Sequence, residues 1–101
     1  MPRVTANGIE MLYEVRGSGE PLLLIAGTGG DHVAWNVQVA DFRSEYTCIT
    51  FDPRGVGGTE KGDVFPYTTR LLAQDAGGLL LALGVSRAHV AGQSLGSVVA
   101  Q

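Results

Sequence analysis

The stretch Ala88-His89-Val90-Ala91-Gly92-Gln93-Ser94-Leu95-Gly96-Ser97-Val98-Val99-Ala100 decides how the rest of the chain is read. Ala88 to Ala91 read as a short strand, and the residues after Gly96 read as the start of a helix. Between them, Gly92-x-Ser94-x-Gly96 falls on the junction of strand and helix. The spacing has a steric reason. A serine on so sharp a turn takes a strained backbone conformation, and side chains at the flanking positions would collide with the neighbouring strand and helix, so both are glycine. Such a turn lifts the hydroxyl above the sheet edge, within reach of a base, and the helix start aims the Leu95 N–H at an oxyanion forming beside it. Ser94 is therefore the candidate nucleophile. With 15 glycines in 101 residues the bare pattern is open to coincidence, and its placement between strand and helix is what gives it weight.

Working back from that turn, Leu72, Ala76, Leu79, Leu80 and Leu83 form one stripe at helical spacing, with Thr68 or Thr69 as the cap and Gly84 placed to close the helix. The interior pair Gly77-Gly78 costs about 1 kcal/mol per residue relative to Ala, and close packing against the sheet is the expected compensation. Thr47 to Phe51 is a β-prone run that ends in Asp52-Pro53-Arg54-Gly55-Val56-Gly57-Gly58, which no regular element accommodates. Leu22 to Ala26 is continuously apolar, as expected of a central strand covered on both faces. Gly27, Gly29 and Gly30 punctuate the loop after it, and Asp31 caps a helix whose apolar positions are Ala34, Val37 and Phe42. Val4 to Glu14 reads as a hairpin around Asn7-Gly8, with Met11 to Arg16 in its second strand. Strands alternating with helices imply parallel pairing through right-handed crossovers, hence an α/β sheet.

Composition excludes several classes. At 101 residues one domain is expected, and seven Lys+Arg against ten Asp+Glu give a net charge of −3 with no basic stripe. Nucleic acid and anionic membrane surfaces are not expected partners. Gly77 to Val85, the longest nearly apolar stretch, is far shorter than the roughly 20 residues needed to cross a bilayer, and MPRVTANG lacks the apolar core of a signal peptide. Cys48 is the single cysteine, with no partner for an internal disulfide or a cysteine-based metal cluster. A soluble, cytoplasmic protein without a metal site is the expectation.

Three segments, in order, resemble the N-terminal part of an α/β-hydrolase. LLLIAGTGGDHVAW (22–35) is similar to the family's oxyanion strand and loop, FDPRGVGGTE (51–60) to its D-x-R-G-x-G-x-[ST] loop, and GQSLGSVVAQ (92–101) to its nucleophile elbow and following helix. The resemblance extends over essentially all 101 residues. It implies Ser94 as nucleophile, with the backbone N–H groups of Thr28 and Leu95 as oxyanion donors. It further implies hydrolysis of a small-molecule ester or lactone through an acyl-enzyme, with no cofactor and no metal, most similar to enol-lactonases and carboxylesterases. Serine at the elbow argues against the branches that use an aspartate nucleophile. Two departures stand out. Ala26 occupies a position where many members have His. The family's acid and catalytic histidine follow the elbow, so residues 1–101 are expected to be the N-terminal portion of a single hydrolase domain, truncated after the elbow. Its expected partner is the remaining C-terminal half, without which this stretch would be inactive.

Other residues have blander readings. His89 lies at the far end of its strand from the elbow and reads as a surface or packing residue; His32 reads as a loop or helix-start residue. Asp52 and Arg54 read as structural pairing that braces the sheet edge, Trp35 as packing near the pocket, and Cys48 as an inert buried thiol. Two other classes compete. A dinucleotide-binding fold would use Gly27-x-Gly29 and Asp52, but His32 stands where its third glycine belongs, and it gives no reason for the Ser94 turn. A hydrolase-like binding module without catalysis keeps the fold and drops the chemistry.

Overall fold

Two strands open the chain, β1 (Arg3–Ala6) and β2 (Ile9–Arg16), paired antiparallel with Ala6 opposite Ile9. That register leaves only Asn7 and Gly8 in the turn, at φ of 49° and 80°, the left-handed pair that a two-residue hairpin requires. The computed structural model describes residues 2–27, 30–59, 62, 67–93 and 95–100. Within it, β3 (Glu20–Ile25), β4 (Tyr46–Phe51) and β5 (His89–Gly92) join the hairpin in one five-stranded sheet of order β1-β2-β4-β3-β5. β2 runs antiparallel to β4, whereas β3 is parallel to both β4 and β5.

Sheet order fixes where the helices go. From β3 the chain steps one way to β4, then returns past β3 to β5, and crossovers of one hand running in opposite directions place their helices on opposite faces. One face carries a 3₁₀ turn (His32–Trp35) leading into α1 (Asn36–Phe42), with Val39 and Trp35 against Leu22, Leu24 and Cys48. The other carries α2 (Thr69–Ala82) and α3 (Leu95–Ala100), with Ala76, Leu79 and Val99 against Leu23, Ile25, Ile49 and Phe51. Alternate residues of β3 therefore serve two cores, which is why its sequence is an unbroken apolar run rather than an alternating one.

α2 follows the expected stripe closely. Thr68 caps it, its Oγ1 accepting the Leu71 N–H at 3.0 Å, and the helix closes with Gly84 at φ 74° and the Val85 N–H on the Leu80 carbonyl at 2.9 Å. Two expectations need correction. In α1 the buried residue is Val39, whereas Val37 is 72% exposed and Ala34 and Phe42 are also exposed. The first turn is 3₁₀ rather than α, so its tighter winding rotates the apolar face away from the register of a single continuous helix. In α2, Gly78 lies beside the Asn7 turn of the hairpin, where an added Cβ would come within 3.2 Å of Asn7, and an added Cβ on Gly77 would meet nothing within 4 Å among the described residues. Among the described residues no helix is long and apolar enough to cross a membrane.

Candidate active site

The chain reverses its winding direction between β3 and β5, and in open α/β sheets the crevice at the carboxyl ends of such strands is where ligands bind. Here the end of β3 and the turn after β5 are held against each other. The Gln93 N–H extends the ladder to the Ile25 carbonyl at 3.1 Å, and the Gly96 N–H returns to the Gln93 carbonyl at 2.9 Å. A Cβ on Gly96 would run into the Ile25 carbonyl oxygen and come within 2.7 Å of that of Ala26. This glycine is required because the turn sits directly on the backbone end of β3. Leu95 is the first residue of α3, so the turn feeds the helix as its sequence indicates. Ser94 and Thr28 lie outside the described residues.

Beside this junction is a cavity of about 240 Å³. Ile25, Ala26, Gly27, Phe51, Pro53, Val56, Leu72 and Val99 give it a mainly apolar wall, completed by Tyr67 and the Arg54–Asp75 pair. Arg54 Nε and Nη2 donate to the two Asp75 carboxylate oxygens at 2.9 and 2.8 Å, and the Asn7 side-chain amide donates to Asp75 at 2.8 Å. Both charged groups are buried, and the Asp75 hydrogen bonds raise the Arg54 pKa further, keeping the guanidinium charged. The pair ties the loop after β4 to α2 and to the hairpin turn.

Asp52 has different partners. Its Oδ1 accepts the backbone N–H of His32 at 2.8 Å and faces His32 Nδ1 at 2.6 Å, and its Oδ2 accepts the Gly58 N–H at 2.8 Å. Burial alone would raise this carboxyl; the Gly58 and His32 donors outweigh it and hold the pKa below its ordinary value. The carboxylate is thus ionised, and His32 Nδ1 carries the proton it shares. Gly57, at φ 55°, comes so close that any Cβ there would overlap Oδ2. Thr59 completes the loop by accepting the Leu12 N–H at 3.0 Å, while the Asp52 N–H donates to the Leu12 carbonyl at 3.0 Å. Asp52, Arg54, Gly57 and Thr59 of the D-x-R-G-x-G-x-[ST] stretch thus each help to hold this loop in place, against β2, α2 and the turn that bears His32.

Asp52 and Arg54 both make buried pairings, each with another partner rather than with the other: Asp52 with His32, and Arg54 with Asp75. Asp75 was not singled out from sequence; its signal was a carboxylate at Leu72+3 and Leu79−4, inside the apolar stripe. His89 is exposed, 3.0 Å from Glu20 Oε2 and edge-on to Tyr46. Cys48 is buried in β4, and burial raises its thiol pKa against a smaller opposing effect of Arg43. Trp35 is half-buried, with its indole N–H enclosed and, among the described residues, without a hydrogen-bond partner. Asp31, His32 and Asp52 place potential ligand atoms within 4.8 Å of one another, but the Asp52 oxygens already face N–H donors and Asp31 Oδ1 accepts the Val33 N–H at 3.0 Å.

A mixed sheet with helices on both faces, whose outermost described strand β5 ends at Gly92 and is followed by α3 from Leu95 within a Gly-x-Ser-x-Gly sequence, marks an α/β protein of hydrolase type. The chain belongs to the alpha/beta hydrolase fold family, whose sequence model matches residues 20–101. It is 40% identical over 95 residues to a Mycobacterium tuberculosis protein carrying the name non-heme bromoperoxidase BpoC, a match covering 92% of this chain and 36% of that protein. It is likewise 40% identical over 73 residues to 3-oxoadipate enol-lactonase 1 of Acinetobacter baylyi, covering 71% of this chain and 26% of the enzyme. Among solved structures, the enol-lactonase from Burkholderia xenovorans LB400 superposes with a TM-score of 0.91 at 30% identity, over 97% of this chain and 39% of that one. The matched stretches thus span between about a quarter and two fifths of the length of these relatives.

Proposed function

We propose that residues 1–101 form the N-terminal portion of a serine hydrolase domain that cleaves an ester or lactone of a small, partly apolar molecule. Ser94 gives its proton to a histidine supplied by the remainder of the domain and attacks the substrate carbonyl. The Thr28 and Leu95 N–H groups stabilise the oxyanion, the leaving oxygen departs with the proton, and water then hydrolyses the acyl-enzyme. The observation that carries this reading is the seating of Gln93 and Gly96, on either side of the Ser94-Leu95 pair, on the carbonyl end of β3, where only a glycine at position 96 fits. Its support is the family membership, the enol-lactonase relatives and the largely apolar cavity next to Gly27.

The test is hydrolysis of short p-nitrophenyl esters and simple enol-lactones by the complete protein and by its Ser94→Ala variant. Turnover should fall by about 10³-fold or more in the variant, with the fold retained. Undiminished turnover in Ser94→Ala would exclude the proposal.

A further inference from the structure

The loop after β3 carries Thr28, the proposed oxyanion donor, and both of its described ends are tied down. At the near end the Gly30 N–H returns to the Gly27 carbonyl at 3.0 Å. At the far end His32 presents Asp52 Oδ1 with two donors, its backbone N–H at 2.8 Å and its ring Nδ1 at 2.6 Å. The second of these is a side-chain bond, so the residue type at position 32 decides whether it exists. Asp52 is itself held on several sides: it is 2% exposed, bonded to the Gly58 N–H, and packed against Gly57. An imidazole bonded through Nδ1 to a buried carboxylate looks like the base and acid of a hydrolytic triad, but its direction is wrong for that task. Nε2 faces Glu14 Oε1 at 3.6 Å, and Glu14 lies on β2, which the sheet order puts on the far side of β4 from β3 and β5.

We propose that His32 is a positioning residue, which fixes the oxyanion loop to the rigid loop after β4 through its Nδ1–Asp52 bond. The proposal rests on the serine-hydrolase reading above. Among the described residues, the charged groups facing His32 are Asp31 in its own turn, Asp52 after β4, and Glu14 on β2, which also pairs with Arg16 at 2.8 Å. Losing the ring bond lets the loop drift, and oxyanion stabilisation depends steeply on donor placement.

The experiment compares wild type, His32→Leu and His32→Asn in the complete protein, with p-nitrophenyl butyrate as substrate and an alkyl trifluoromethyl ketone as the probe of oxyanion binding. His32→Leu should lower kcat and weaken the ketone by the same factor, about tenfold, with KM changed less than about twofold. His32→Asn, whose amide N–H can stand where Nδ1 stands, should restore both. If His32→Leu does not fold, His32→Gln takes its place, because it stays polar but moves its donor off the Nδ1 position, and the same loss is expected. Wild-type kcat and ketone affinity in a variant whose only change is a lower melting temperature would make His32 a structural clip and overturn the proposal. Full activity in Ser94→Ala would remove the reading beneath it, a result visible without any His32 variant.

Discussion

Gly96 and Asp52 carry much of the site's geometry, one through absence of a side chain and the other through saturation of one. A Cβ on Gly96 meets backbone oxygens of β3, which cannot rotate aside, so Gly96→Val should cost on the order of 1–3 kcal/mol in chemical denaturation and displace the elbow. Unchanged stability would show that the turn does not sit on β3. Asp52 makes a pH prediction whose sign is fixed. Its folded pKa is depressed, so its contribution to stability is complete above the unfolded value of about 4 and is lost as pH falls through the folded value. Urea midpoints measured from pH 7 downward should therefore drop below about pH 4, and Asp52→Asn should be less stable at neutral pH with a shallower acid limb. Both residues stood out in the sequence, Gly96 by motif spacing and Asp52 by its place in the loop resemblance. The partner of Asp52 did not, because a bond between residues 32 and 52 depends on how two loops pack at one sheet edge.

At the level of elements, α2 was legible because stripe, cap and closing glycine agree, whereas the face of α1 was read wrongly because a 3₁₀ turn leaves no mark in apolar spacing. The two glycines within α2 separate what propensity dictates from what packing dictates. Gly77 has nothing within 4 Å of its would-be Cβ and lies in the helix interior, so Gly77→Ala should stabilise by about 0.5–1 kcal/mol. A Cβ on Gly78 would lie 3.2 Å from Asn7, so there the helical gain is offset by crowding of the hairpin turn, and Gly78→Ala should be neutral or destabilising. Thermal denaturation of the two variants decides this, and equal gains would contradict the contact between α2 and the hairpin.

For the whole molecule, element order and the continuous apolar strand pointed to the α/β layering, and three motifs spaced along the chain pointed to the family. Sheet order, with β3 between β4 and β5, places the loop after β3 and the turn after β5 at one crevice, although Gly27 and Gly92 are far apart in sequence. The pairing of Arg54 with Asp75 was beyond the sequence for a related reason, since it joins a loop to a helix that only the folded sheet brings together. What the motifs cannot supply is the reaction itself, which rests on Ser94 becoming covalently bonded to substrate. The most direct measurement is mass spectrometry of the complete protein after treatment with an active-site fluorophosphonate. The account predicts a single adduct that maps to the peptide bearing Ser94 and is lost in Ser94→Ala. Labelling that persists in Ser94→Ala, or an esterase-active preparation that takes up no label, would contradict it.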